Sequence, residues 1–439
     1  MSKNILIFLE HDFIIRNFLD SKVFRTLEKI HNVNYVFPST KTKRFSDKLP
    51  LKKNYLTCII DLKRDYLIKR LYHLIGIKDL SIRDKKDKKI MTFFYKSSLK
   101  KFYYFDNLLS FSLLYQITLF FYKTLIGNNR LLEDFILRKN TDLIIHPTVL
   151  NGHFAYDLVK IAKKNKLPCF FLMNSWDNPS TKPFSGSKPD KLFVWGEQTY
   201  NHAIKYLRMK KEDIVISGAA QFEIYRDTIF DDYNKNYDKP ICFAGSSKGL
   251  DEIQLLKNID MKINNKKIIY KPHPWKSFSK NEKNFFDISF KNTSMFERSI
   301  EEYKDYYKTR SFNLSKSNLL SNIELFKNIS LLVCPISTIL LEAIINNIPV
   351  ILFDPKIDEN ENSHHFIART RVQYTEMFDY LQPIVAKDND ELILKINNLM
   401  SSRDTYDAYL KKLKKNMKYF IKFDNESYDT KLLNVINEM

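Results

Sequence analysis

Glycine is scarce in this sequence, with 8 in 439 residues. That excludes collagen-like and low-complexity chains. No period of 20 to 50 residues recurs, which excludes a solenoid. Cysteine is rarer still: Cys58, Cys169, Cys242 and Cys334. None forms a CxxC pair or a Cys/His ligand spacing. Each lies in a short apolar run that reads as a strand, so buried, reduced thiols and a reducing compartment are expected. No signal peptide is visible. Residues 4–9, NILIFL, are too short for one and meet Glu10, His11 and Asp12 at once. Residues 107–122, NLLSFSLLYQITLFFY, carry no charge but fall short of the about 20 residues that a spanning helix needs. Two readings stay open for that run. It is either a buried core helix or an interfacial one, with basic flanks at 85–89, Lys100 and Lys101.

What is present supports folded cores. Hydrophobic residues make up 44% and aromatics 14%. Charged residues are mixed among them, which excludes global disorder. The length exceeds one ordinary core, so two domains of roughly 200 residues each are expected. Lys and Arg number 71 against 51 Asp and Glu, a net charge of +20. Nucleic acid, an anionic membrane surface or a phosphorylated substrate would each suit that charge. A general tilt toward Lys, Asn and Ile accounts for part of it.

Strand-like and helix-like segments alternate almost throughout, the pattern of an α/β protein. Short buried runs predict strands at 4–9, 32–37, 55–61, 142–147, 169–174, 191–196 and 213–218. A helix is expected at about 21–31, with Ser21 as its N-cap. Residues 62–138 read as mostly helical, basic and aromatic. The polar stretch DDYNKNYDKP, 231–240, reads as a linker. Strands resume at 240–245, 267–272, 329–335 and 349–354, with helices at about 337–347, 389–400 and 404–421. The expected architecture is two facing Rossmann-like, doubly wound domains, with ligands at the carboxyl ends of the strands. They span 1–235 and 236–420, with a C-terminal helix at 421–439 packing back on the first.

Three strand ends in the second half suit phosphate. PICFAG runs into SSKG, so Gly245, Ser246 and Ser247 offer backbone N–H groups in a turn. The spacing is not a Walker A loop, and a plain capped turn fits equally. In KIIYKPHP, 267–274, Pro272 and Pro274 hold His273 extended at a strand end. There its ring can donate to a phosphate oxygen, and Lys271 adds charge. After ISLLVCP, Ser337 and Thr338 open a helix whose first N–H groups and dipole attract an anion. Glu342 lies one turn on along the same face, placed to accept from ribose hydroxyls.

Together these motifs resemble the nucleotide-binding domain of GT-B glycosyltransferases. The likeness is to the bacterial surface-polysaccharide group: capsule-synthesis enzymes, polysialyltransferases and CDP-glycerol glycerophosphotransferases. That group grips its donor's phosphate with a His-Pro and a Ser-Ser/Thr motif. His273–Pro274 and Ser337–Thr338 match them here. NSWDNPSTKP (174–183), PDKLFVWGEQ (189–198) and DIVISGAAQFEIYRD (213–227) are similar to stretches that occur in the same order in those enzymes. The resemblance covers about residues 140–360. It implies a transferase moving a sugar or an alditol phosphate from a CMP-, CDP- or UDP-linked donor. The acceptor would be a surface polysaccharide or a lipid-linked glycan, in the cytoplasm or at the inner membrane face, with no cofactor or metal. His273, Ser337, Thr338 and the helix dipole would stabilise the departing nucleotide in the cleft between the domains.

In an inverting transfer a general base removes the acceptor hydroxyl's proton, and it is expected in the first domain; a retaining transfer needs no such base. His11 and Asp12, at the end of the first strand, are the catalytic candidates. Arg16 would bind an anionic acceptor. His153 and Asp177 end strands or open helices and are further acceptor contacts. No metal site is expected. DND, 388–390, reads as a helix start, and adjacent His364 and His365 point to opposite faces of an extended chain. The alternative reading is a non-hydrolysing nucleotide-sugar 2-epimerase, which shares the fold and the phosphate grip. A nucleic-acid-binding protein is the remote one, because the basic residues are dispersed and no RNA- or DNA-binding signature stands out.

Overall fold

The structure is a computed structural model. It describes residues 2–41, 53–83, 112–182, 187–226, 237–245, 252–263, 266–273, 288–301, 319–355 and 371–439. The chain forms two units, Met1–Glu223 with Tyr419–Met439, and Ile224–Lys418.

In the first unit, β1 (Asn4–Phe8), β2 (Asn32–Pro38), β3 (Tyr55–Cys58), β4 (Leu143–Thr148), β5 (Cys169–Met173), β6 (Lys191–Val194) and β7 (Ile214–Ile216) pair in parallel in the order β3-β2-β1-β4-β5-β6-β7. In the second, β8 (Ile241–Ala244), β9 (Ile268–Lys271), β10 (Thr293–Met295), β11 (Leu331–Cys334), β12 (Val350–Phe353) and β13 (Ile384–Ala386) run β10-β9-β8-β11-β12-β13, again in parallel. Each order reverses once, between β1 and β4 and between β8 and β11. Ligands of such sheets bind outside the carboxyl ends of the strands at that switch point.

Helices in chain order begin with α1 (Asp12–Ile14), which continues as a π-helical turn over Ile15–Asp20. Then come α2 (Arg25–Ile30), α3 (Leu62–Arg83), α4 (Ser112–Leu125), α5 (Arg130–Arg138), α6 (Leu158–Lys164), α7 (Asn178–Thr181) and α8 (Glu197–Leu207). The second unit adds α9 (Glu252–Lys262), α10 (Leu319–Lys327), α11 (Ile339–Ile345), α12 (Val372–Glu376), α13 (Asn389–Leu399) and α14 (Arg403–Met417), and α15 (Tyr428–Asn437) closes the chain.

Parity along the strands sorts the first core into two faces. Ile5, Ile7, Leu143, Ile145, Phe170 and Leu172 pack on one side. Leu6, Phe8, Ile144, Phe171 and Met173 pack on the other. Burial on both faces is what a parallel sheet covered by helices requires. The returning α15 places Tyr428, Leu432 and Ile436, four residues apart, into the first of these clusters. Lys431 between them is buried, and its Nζ donates to Asp424 at 2.8 Å and to the Ser217 carbonyl at 3.4 Å.

Every strand expected from the sequence is present. The strands β10 and β13 lie outside that expectation, because each is three residues long and buries a single residue fully. The helix expected at about 21–31 needs correction. Helical structure already starts at Asp12, and Ser21 ends the π-helical turn rather than opening a helix. Its hydroxyl donates back to the Asn17 carbonyl at 2.6 Å. The next helix begins at Arg25 after Phe24. DND does open a helix: the Asp388 side chain accepts from Glu391 N at 2.8 Å. All four cysteines are buried and unbridged, and burial pushes the Cys58 thiol up to about 11 and that of Cys242 to about 12.

The uncharged run near residue 115 is core on one side only. Tyr122 and Ile126 pack with Ile68, Tyr72 and Ile75 of α3 in a small cluster of their own. Leu113, Leu114, Ile117, Phe120 and Phe121 are exposed, at 70%, 39%, 43%, 64% and 54%. Their spacing puts them on one helix face. Among the described residues, no helix is long and apolar enough to cross a membrane.

The return of the C-terminal segment depends on one glycine. A Cβ at Gly196 would sit 2.6 Å from the Phe420 carbonyl carbon and oxygen and 2.7 Å from Ile421 N. Backbone cannot yield as a side-chain tip can. Gly196→Ala is therefore expected to destabilise the first unit by about 1–3 kcal/mol, as overpacking does. A lower urea midpoint and faster proteolysis after Phe420 would show it. An unchanged midpoint would contradict the close approach.

Candidate functional site

The first switch point holds a buried carboxylate. Register pairs Ile5 with Leu143 and Ile7 with Ile145. Counting on, Phe8 meets His146, whose Nδ1 donates to the Phe8 carbonyl at 3.0 Å. Glu10 follows Leu6 and Phe8 onto the same face. Its Oε1 lies 3.1 Å from His146 Nε2, and each side chain is 1% exposed. The same oxygen accepts from Phe154 N at 3.0 Å and Ala155 N at 3.2 Å. Burial alone would raise the Glu10 pKa. The His146 hydrogen bond and charge, helped by His11 and His153, reverse this and hold it at about 2. A buried charge is tolerated only with such partners.

The loop between β4 and α6 wraps this carboxylate. Gly152 presses on it so closely that a Cβ there would lie 2.1 Å from Glu10 Oε2. The Leu150 carbonyl accepts from Tyr72 of α3 at 2.9 Å. The Asn151 carbonyl accepts from His11 Nε2 at 3.3 Å, and the His11 ring stacks on Phe13. His153 Nδ1 contacts Asp65 Oδ2 of α3 at 3.0 Å.

The structure thus gathers His11 and His153 around one loop. Asp12 is the first residue of α1; its side chain lies outside the described part. Arg16 donates from Nε to Asn17 Oδ1 at 3.0 Å, and Asn17 Nδ2 donates to Asn174 Oδ1 at 3.0 Å. Asn174 follows β5, so Arg16 is tied to the strand end from which Asp177 also springs. Asp177 precedes α7, accepts from the Ser175 hydroxyl at 2.5 Å and, through its carbonyl, from Thr181 at 2.8 Å. Glu10 and His146 are absent from the sequence-based candidates. A histidine inside a run otherwise buried on both faces, at even spacing from strand neighbours of Glu10, is the signal that was there to find.

In the second unit, Gly245, His273 and Ser337–Thr338 follow β8, β9 and β11. These are three neighbouring parallel strands, with the switch point between β8 and β11. Gly245 N donates to the Lys271 carbonyl at 2.9 Å, so an anion at this turn must use later N–H groups. Ser246, Ser247 and Pro274 lie outside the described residues, as do His364 and His365. A Cβ at Gly245 would lie 2.5 Å from Glu252 Oε2, which accepts from Tyr270 at 2.6 Å. Lys271 ends β9 and is half-buried, as is His273. Neither Ser337 nor Thr338 caps α11 with its side chain; the Ser337 hydroxyl donates to the Pro335 carbonyl at 3.3 Å. Glu342 Oε2 is held by Tyr225 at 2.7 Å and Asn322 at 3.0 Å. Its carboxylate is therefore fixed in place.

No family model and no curated protein matches the sequence. Solved structures do match. The putative UDP-N-acetylglucosamine 2-epimerase from Listeria monocytogenes is similar over 100% of this chain and 96% of that one, at 9% identity and TM-score 0.57. The UDP-GlcNAc 2-epimerase from Neisseria meningitidis bound to UDP-GlcNAc matches over 99% and 98%, at 10% identity and TM-score 0.53. The fold is GT-B. The wall teichoic acid polymerase TagF is also similar, over 100% and 88%, at 12% identity and TM-score 0.49. At these identities the GT-B likeness gives the architecture, not the reaction.

The Glu10 pair has a consequence for acid stability. The carboxyl titrates near 4.5 when unfolded and near 2 when folded. Its charge therefore stabilises the fold above pH 4.5, and that contribution is lost as pH falls toward 2. The window corresponds to about 3 kcal/mol. Urea unfolding of wild type and Glu10→Gln should show the gap between them closing as pH falls through this range. A gap independent of pH would mean that Glu10 is not held ionised.

Proposed function

We propose that this protein is a GT-B glycosyltransferase moving a sugar or an alditol phosphate from a nucleotide-linked donor to a surface polysaccharide or lipid-linked glycan. The observation that carries the donor half is the grouping of Gly245, His273, Ser337 and Thr338 at the ends of three neighbouring strands. Departure of the nucleotide leaves negative charge on its phosphate. His273, Lys271, the Thr338 hydroxyl and, once rotated away from the Pro335 carbonyl, the Ser337 hydroxyl would supply hydrogen-bond donors and positive charge there, with Ser246 and Ser247 following Gly245 in the chain, so no metal is invoked. Glu342, held by Tyr225 and Asn322, is assigned to the donor's ribose.

The acceptor half belongs to the first unit. His11, next to Asp12, is assigned as the base that takes the acceptor proton. Arg16, His153 and Asp177 are acceptor contacts at the same end of that sheet. The exposed face of α4 favours transfer over rearrangement, because a lipid-linked acceptor lies at a membrane. Apolar side chains on one face, with exposed Lys63, Lys69 and Lys123 on the two helices, suit an anionic bilayer surface. A site at the inner face of the cell membrane follows from this reading.

The second reading is a nucleotide-sugar 2-epimerase, favoured by the Listeria and Neisseria neighbours. It needs no acceptor. Incubation with UDP-GlcNAc alone separates the two, since only an epimerase would interconvert it.

Calorimetric titration with CMP, CDP, UDP and GDP tests the donor site. One nucleotide should bind selectively, and His273→Ala should weaken it at least tenfold, about 1.4 kcal/mol. No binding by any of the four would sink the reading. Flotation with anionic vesicles tests the membrane half. Ile117→Ser with Phe120→Ser should reduce the bound fraction, and equal binding by wild type and variant would remove α4 from the argument.

A further inference from the structure

The His11 ring meets a carbonyl, and that carbonyl lies on the loop that Glu10 holds. A carbonyl oxygen can only accept. Hence His11 Nε2, 3.3 Å from the Asn151 carbonyl, carries a proton, and Nδ1 is the basic nitrogen of the neutral ring. Asn151 lies on the loop that Glu10 holds through Phe154 N and Ala155 N. Gly152, the residue after Asn151, leaves no space between the loop and the carboxylate. Glu10 thus helps to set the place of the Asn151 carbonyl, alongside Tyr72 on the Leu150 carbonyl and the Tyr156 hydroxyl on Asn151 Oδ1.

We propose that Glu10 is a positioning residue for His11: it seats the loop after β4 so that the Asn151 carbonyl selects the His11 tautomer whose Nδ1 is basic. Glu10 need not touch either substrate to do so. Several titratable groups face it. His146 approaches from β4, His11 from the residue following Glu10, and His153 from the loop. Asp65 of α3 meets His153, and the Tyr156 phenol is raised well above its usual range by burial, Tyr122, Glu10 and Asp65. The proposal rests on the reading of His11 as the acceptor-side base, but its structural core does not need that reaction.

Two conservative variants separate reach from charge. Glu10→Asp keeps the charge and withdraws the oxygen from Phe154 N and Ala155 N. Glu10→Gln keeps an acceptor at Oε1 and removes the charge. Histidine-selective 15N NMR reads the tautomer directly, with His11→Gln assigning the signal. The wild-type His11 signal should show the proton on Nε2. Glu10→Asp should move it toward a mixture of tautomers, while Glu10→Gln should leave it in place and His202 should be unmoved in both. In a transfer assay, Glu10→Asp should lower kcat by at least about tenfold with the donor KM unchanged. A wild-type His11 signal in Glu10→Asp, or an equal displacement in Glu10→Gln, overturns the proposal. Failure of the nucleotide titration would overturn the transferase reading instead, and it leaves this NMR readout intact.

Discussion

A parallel sheet whose strand order reverses leaves one place uncovered. Crossover helices on either side of the reversal depart to opposite faces, so the strand ends between them open to a crevice. Both sheets here are built that way, at β1/β4 and at β8/β11. The residues with chemistry collect at those ends because the strand interiors are apolar on both faces. Polar side chains gather where the ladder stops, although His146, paired with Phe171, lies within the β4–β5 ladder.

The two switch points are furnished differently. The first is organised around an ionised carboxylate buried to 1% exposure, with two N–H groups and an imidazole aimed at one oxygen. In a medium of low polarity such an arrangement is stiff, since any displacement leaves a charge unsatisfied. The stiffness passes to the loop after β4, and from there to His11 and to α3. In the second, the described groups outside the core include hydroxyls, an imidazole, a lysine and the Glu342 carboxylate held by Tyr225 and Asn322. Its buried carboxylate, Glu252, is 0% exposed beneath Gly245 and takes the Tyr270 hydroxyl. Under the transferase reading proposed above, that difference would correspond to a base and its supports in one unit and donors for a departing phosphate in the other.

Much of the architecture was legible in the sequence, for a physical reason. Parallel strands buried on both faces read as short continuous apolar runs, so NILIF, CFFLM and LLVC announce themselves. β10, with sequence TSM, does not, because only Met295 enters the core. α1 was hidden by the apolar pattern of residues 13–19, which continues the strand before it and turns helical only because the chain packs back over β1. The strand-end positions of Gly245, His273 and Ser337, on which the proposed donor site rests, were legible because the apolar runs before them are recognisable strands. Glu10 and His146 were not, since their pairing spans 136 residues of sequence and appears only once the register of β1 on β4 is fixed.

The same register argument explains why the loop after β4 is built as it is. Glu10 lies beyond the last paired residue of β1, so its side chain points past the ladder and needs partners from another segment. The segment that can reach is the one leaving β4, the strand next door. A Cβ at position 152 would collide with the carboxylate, so glycine stands there in a chain that has few. The histidine at 146 follows from parity: it shares a face with Glu10 and comes just after the last paired residues of β1 and β4, although its ladder with β5 runs on to Thr148. One buried charge therefore dictates a glycine, a histidine and the path of a loop, and the tautomer of His11 is the last link in that chain of constraints.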